Sequence, residues 1–161
     1  MKNKFSINLE VTLVEIILSV LIFAIAGVIS LNCFFIARFT QVKANDKVIA
    51  GNLIQYDIEI IKSLNSSDES EEFLLQNFKL LKTESNVHTY INFYNKSWKL
   101  SNEADKEYLI TVNISDEFSN NGTLTDIEIM AERIKPYPFI NKANNNQPIY
   151  AIETKKFYPN Y

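Results

Sequence analysis

The stretch that decides the fold reads IILSVLIFAIAGVISLNCFFIA, residues 16 to 37. Its 22 residues carry no charge, and Ser19, Ser30 and Asn32 are its polar members. As a helix it is about 33 Å long, enough to cross a bilayer core of roughly 30 Å. A core helix of a small soluble domain keeps a polar face, and this run has none. A cleavable secretory signal has a shorter apolar region followed by small residues, whereas this run carries Phe34 and Phe35 near its end. The expectation is a membrane-inserted helix.

Outward from the run, Lys2 and Lys4 lie on one side and Arg38, Lys43 and Lys47 on the other, so the basic residues favour neither orientation. The short N-terminal tail is the easier part to leave in the cytoplasm, with the bulk of the chain exported. Glu15 stands immediately before the run. A carboxylate at a membrane edge is costly unless it is solvated or paired. It either marks the interface or meets a positive group on a neighbouring chain.

The whole chain has 161 residues, 16 basic and 19 acidic side chains, and a net charge of −3. It is too short for two full globular domains. No dense basic tract is present, so no nucleic-acid partner is expected. One cysteine and one histidine leave no intramolecular disulfide and no zinc-type cluster. Three glycines leave no glycine-rich phosphate loop. Neither catalytic residues, nor a cofactor, nor a metal site is expected, and the protein is read as a non-enzyme.

Beyond Arg38 the helical pattern continues. Ile49, Leu53, Tyr56, Ile60 and Leu64 recur at helical spacing and predict one packing face, with Asp46, Lys47, Gln55, Asp57 and Lys62 lying away from it. Gly51 is a soft spot worth about 1 kcal/mol against alanine. Residues 11 to 64 are expected to form one helix, a bend near 38 to 46 being the alternative. The part from 42 to 64 is expected to pack on the C-terminal region.

That region starts with a break at Asn65, Ser66 and Ser67. Asp68 with Glu71 has the spacing of a capping box. It predicts a short helix over about 69–82, with Phe73, Leu74, Phe78 and Leu81 facing one way. Strand alternation follows in Val87 to Tyr94, briefly around Trp98 and Leu100, in Tyr108 to Ile114, and in Leu124 to Ile134. Asn121-Gly122 is a turn dipeptide. Ile149 to Ile152 predicts a short edge strand and Lys155 to Tyr161 a tail. The expected product is an antiparallel meander of three or four strands, one face on the helix. His88 is read as a solvent-facing polar position, and the acids from Asp68 to Glu72 as partners of a helix dipole. Cys33 is read as a small packing residue within the apolar run.

The stretch EVTLVEIILSVLIFAIAG, Glu10 to Gly27, resembles the N-terminal segment of type IV pilins and type II secretion pseudopilins. Thr12, Leu13, Val14 and Glu15 match the family order, Lys2 and Lys4 fit its basic leader, and Ala24, Ala26 and Gly27 fit its small residues. The resemblance implies a prepilin peptidase as partner, cutting between Glu10 and Val11 and methylating the amine of Val11. It also implies that Glu15 attracts the N-terminal amine of an adjacent subunit. The chain departs from the pattern at Glu10, where the family has glycine, and at Val11, where an aromatic residue is usual. A charged side chain at the scissile position weighs against ordinary processing, so the leader is either retained or belongs to a diverged minor subunit.

The reading is therefore α+β and pilin-like. Residues 1–10 are a basic leader and 11–37 a transmembrane and assembly helix. Residues 38–64 continue it as an amphipathic helix, and 65–161 form an α+β globular part. The expected function is that of a structural subunit of a type IV pilus or pseudopilus in the bacterial cytoplasmic membrane. Its expected partners are lipid and other pilin-like subunits. The alternative is a single-pass, membrane-anchored extracytoplasmic binding module.

Overall fold

The computed structural model describes the backbone of residues 3–84, 86–137 and 148–159, and their side chains from Thr12 onward. Helix α1 spans Asn3–Ser63 and α2 Ser67–Asn77. Five strands follow: β1 Lys79–Glu84, β2 Val87–Tyr94, β3 Tyr108–Ser119, β4 Gly122–Arg133 and β5 Pro148–Pro159. The chain divides into two compact units, Met1–Gln41 and Val42–Tyr161. The first holds most of α1. The second is an α+β unit in which the remainder of α1 packs on a five-stranded antiparallel sheet of order β1-β2-β3-β4-β5.

Helix α1 runs without interruption through residues 38–46, where no proline or glycine intervenes. Its buried face in the second unit is Ala50, Ile54, Ile58 and Ile61. The stripe expected from Ile49, Leu53, Tyr56, Ile60 and Leu64 is therefore rotated by one position, and Tyr56 is 63% exposed. Both rows are apolar at helical spacing. A step of about 100° per residue places them side by side, so periodicity alone does not choose between them. Asp46 lies on the true packing face, four residues before Ala50, and is buried rather than turned away. The helix ends where Lys156 Nζ from β5 donates to the carbonyls of Ile61 and Lys62, at 3.3 and 2.7 Å, and to that of Leu64. A cation on the last carbonyls answers both their unmet hydrogen bonds and the helix dipole.

The cap of α2 falls two residues earlier than the expected Asp68. Ser66 Oγ accepts from the Glu69 N–H at 3.1 Å, and Glu69 Oε2 accepts from the Asn65 N–H at 2.8 Å. The serine is the better fit to the S-x-x-E form of the box. The helix stops at Asn77, so residues 79–82 are strand and not helix. Phe73, Leu74 and Phe78 do pack on the core, but Leu81 is exposed on β1. Three true contacts at helical spacing extended the pattern into a fourth that belongs to the next element.

The sheet face toward the helices carries Ile110, Val112 and Ile114 from β3 opposite Ala131, Ile129 and Ile127 from β4. These are the two alternations expected from the sequence. Burying each of these isoleucine and valine side chains contributes about 1.5–3 kcal/mol. On β2 the core residues are Tyr90 and Tyr94. His88 shares their side of the strand and is half-buried, in place of the expected solvent-facing position. Trp98 and Leu100 form no strand. Leu100 makes an isolated bridge to Tyr94, and Trp98 takes a positive φ of 56° that stacks its ring on Tyr108 at 4.0 Å.

The β3–β4 hairpin closes with Ser119 paired to Gly122, so its loop is Asn120-Asn121 and Gly122 opens β4. Gly122 has φ +153°, and a Cβ there would stand 2.2 Å from the Tyr158 carbonyl oxygen on β5. Its role is the close approach of the last strand. That strand is 12 residues long and pairs with the length of β4, so residues 155–159 are sheet rather than tail. Adjacent Lys155 and Lys156 obscured the alternation: Lys155 pairs outward with Asp126 at 2.7 Å while Lys156 turns in to cap α1.

Candidate functional site

The resemblance-derived residues lie on α1. Glu10 and Val11 fall within the helix, but their side chains lie outside the described residues, so the expected processing point has no side-chain geometry. Thr12, Leu13, Val14 and Glu15 are all exposed on consecutive helical positions. So is every residue from there to Arg38. The described helix contains an 18-residue window of mean hydropathy 2.6 with none of it buried, and this makes it a candidate membrane span.

Two features fit the segment to an apolar surrounding. Ser19 Oγ donates to the Glu15 carbonyl at 2.7 Å, and Ser30 Oγ donates to the Ala26 carbonyl at 2.8 Å. Both hydroxyls are thus satisfied inside the helix, where an unmet polar group in hydrocarbon costs several kcal/mol. Second, seven small or polar residues share one side, with Ala24, Gly27 and Asn32 lying off it. At 100° per residue Thr12, Glu15, Ser19, Ala26, Ser30, Cys33 and Ala37 fall within about 60° of one another. Small residues on one face let helix backbones approach closely in a membrane. Glu15 is on that face, so a helix packed there meets the carboxylate. Phe23, the most exposed of the large residues at 81%, sits beside the stripe.

A second constellation, missed in the sequence, organises the start of the globular unit. Arg133 on β4 bridges two acids: its Nη1 is 2.9 Å from Asp46 Oδ2 on α1, and its Nη2 is 2.5 Å from Glu107 Oε1 before β3. Asp46 Oδ1 also accepts from Tyr108 Oη at 2.9 Å and from Trp98 Nε1 at 3.3 Å. All three charged side chains are at least nine-tenths buried. The guanidinium lies over the rings of Tyr108 and Tyr137, at 5.2 and 4.2 Å from the centroids. Burial, then the Asp46 carboxylate, pushes the Tyr108 phenol up, so it stays a donor. Two acids face one base, an arrangement that fixes position and has no nucleophile or proton shuttle.

The signal was present in the sequence. Asp46 precedes Ala50, Ile54 and Ile58 at steps of four, and Arg133 continues the inward row Ile127, Ile129, Ala131 at steps of two. An opposite charge at the end of each apolar row predicts their meeting. The cluster pins α1 at the first turn of the globular unit.

Further along α1, Asp57 is half-buried, and its pKa is raised by burial to about 6. Among the described residues no group of three His, Cys, Asp or Glu side chains is placed to hold a metal ion. No family model, characterised protein or solved structure matches the chain.

Proposed function

We propose that the chain is a structural subunit, a minor one, of a type IV pilus or pseudopilus. It is held in the bacterial cytoplasmic membrane with its N-terminus in the cytoplasm and its C-terminal part outside, and it enters the filament through residues 11–37. One observation carries this reading: among the described residues, α1 is buried against its own sheet from residue 46 onward, whereas every position from Thr12 to Arg38 is exposed. An exposed apolar helix requires a surface to cover it. Lipid serves before assembly and neighbouring helices serve afterwards.

The register role falls to Glu15. Its carboxylate shares a face with the small residues, and a positive amine on a neighbouring subunit would relieve its cost at the membrane edge. The α+β arrangement, with the second half of the N-terminal helix on an antiparallel meander, is consistent with a pilin-like fold. Glu10 in place of glycine is the reason to read a minor rather than an ordinary, processed subunit. The mechanism is insertion and polymerisation, without catalysis.

The test is incorporation. Glu15→Ala is expected to leave membrane insertion intact and to remove the chain from sheared or purified filaments. Normal incorporation of that variant sinks the register role. Mass spectrometry of the mature chain reads the processing point: a mass starting at Val11 shows cleavage after Glu10, and a mass starting at Met1 shows a retained leader.

A further inference from the structure

Asn32 is the only amide in the uncharged run from Ile16 to Ala37. The other polar side chains there, Ser19 and Ser30, are satisfied by carbonyls of their own helix. An asparagine can make the same kind of bond: on α2, Asn77 Nδ2 donates to the Phe73 carbonyl, one turn back, at 2.8 Å. The Asn32 side chain is exposed and makes no hydrogen bond among the described residues. Along the helix axis it stands about 8 Å from the midpoint of the run. The half-thickness of a bilayer core is about 15 Å, so the amide lies well inside hydrocarbon. With a single methylene before its amide, it cannot reach the interface as a lysine does. A polar group left unmet at that depth is costly, so Asn32 calls for a hydrogen-bonding partner from outside its own helix.

The independent observation is the row in which Asn32 stands. Val14, Leu18, Leu21, Ile25, Val28 and Asn32 recur at alternating steps of four and three. They form a seven-residue repeat, 14-21-28 beside 18-25-32, within about 80° of helix surface. All six are exposed. This seam lies about 130° around the helix from the face that carries Glu15, so the two do not overlap. A seven-residue repeat packs helices in a shallow left-handed crossing, the commonest arrangement in membrane bundles. A single asparagine in such a seam fixes the register of the helices that share it.

We propose that two copies of this chain pair in the membrane along this seam, parallel, with their Asn32 amides hydrogen-bonded to each other. The pairing rests on membrane insertion of residues 11–37 and is independent of the register role of Glu15. The chemistry selects a second copy as the occupant. A side-chain amide both donates and accepts, so Asn32 is complementary to itself. Copies inserted the same way bring their amides to one depth, whereas opposed copies would hold them about 16 Å apart across the bilayer. Such a two-fold pair buries the same patch on both copies and closes on itself. It covers the seam and leaves the Glu15 face open to other neighbours.

The experiment reconstitutes the full chain, carrying Cys33→Ala, in phosphatidylcholine vesicles. Donor and acceptor dyes are attached to copies that also carry Lys96→Cys. Energy transfer is followed as the protein is diluted in lipid, and resistance to alkaline carbonate extraction reads insertion. The expected result is saturable transfer that dilution reverses. Asn32→Leu is expected to weaken the pair about three- to thirtyfold, the effect of losing an interhelical side-chain hydrogen bond. Leucine makes the run more apolar, so that loss is not a failure to insert. Asn32→Gln keeps an amide and is expected to retain most of the affinity. Oxidative cross-linking in the Cys33→Ala chain reads the face: Ile25→Cys should cross-link, and Phe23→Cys, on the opposite side of the helix, should not. Three results overturn the proposal while leaving insertion intact. They are an inserted chain without transfer at any density, which leaves the seam to a helix of different sequence; unchanged affinity in Asn32→Leu; and equal cross-linking through Phe23→Cys and Ile25→Cys. Extraction of the chain by carbonate would instead overturn the membrane reading, and the pair with it.

Discussion

Ile25 and Ile54 are the same residue type on one helix, yet Ile54 is fully buried and Ile25 is 53% exposed. The difference lies in what surrounds each in the sequence. Around Ile54 the apolar residues keep to a row, with Asn52, Gln55 and Glu59 on the other sides, so one face is covered by the sheet and the rest meets water. Around Ile25 no charged residue occurs from Ile16 to Ala37. The second half of α1 is completed by the chain itself. The first half stays exposed at every described position from Thr12 to Arg38.

That contrast makes opposite demands on substitutions in the two regions. The largest effect is expected at Arg133→Ala, which leaves Asp46 and Glu107 buried without their shared cation. Unfolding of the globular unit should become easier by about 3–5 kcal/mol, read by chemical denaturation in micelles. Ile54→Ala follows, at about 2–5 kcal/mol for the lost burial and the cavity left behind. Ile25→Ala is its matched control and should shift the same transition by less than about 0.5 kcal/mol. A comparable loss from Ile25→Ala would break the comparison, since it would mean that the first half of the helix is also supported by the sheet.

A smaller and opposite effect is expected at Asp57. Its pKa is raised by burial from 3.8 to about 6, so the folded state holds its proton more tightly than the unfolded state. Stability therefore falls as pH rises from about 4 through 6, and the cost is complete above that window. Asp57→Asn should stabilise the unit at pH 7 by roughly 1 kcal/mol after allowance for solvent at this half-buried site, and by nothing near pH 3.5. Thermal unfolding at the two pH values checks the sign. An equal gain at both would place the effect in helix propensity rather than titration.

Apart from the Ile25→Ala control, the smallest effect is Gly51→Ala. A Cβ there meets the Tyr150 ring at 3.7 Å, an ordinary contact. The variant should gain about 0.5–1 kcal/mol from helix propensity, measured by the same denaturation.

The exposed apolar helix and the two strands β3 and β4 were legible from the sequence because their patterns have one solution. Ile16 to Ala37 has no charged residue to turn toward water in any register, and Tyr108 to Ile114 alternates cleanly. The packing face of residues 42–63 was not, because two adjacent apolar rows compete and only the sheet decides between them. The last strand was hidden by Lys155-Lys156, whose opposite orientations make sense only once α1 ends beside β5. The same holds for Asp46: a lone acid reads as solvated until Arg133, 87 residues later, arrives beside it. For the candidate site the balance is different. Glu15 stands out by its place before the apolar run and by the resemblance, whereas the buried Asp46–Arg133–Glu107 cluster depends on long-range pairing that no local pattern encodes.

The most direct test replaces residues 11–37 by an unrelated membrane-spanning helix of equal length, leaving residues 38–161 unchanged. Filament fractions are then probed for the chain. The account predicts a protein that still inserts in the membrane and folds its sheet but is absent from filaments, because its assembly face and Glu15 are gone. Recovery of the exchanged chain in filaments at the natural level would contradict it, and would reduce the first half of α1 to an anchor.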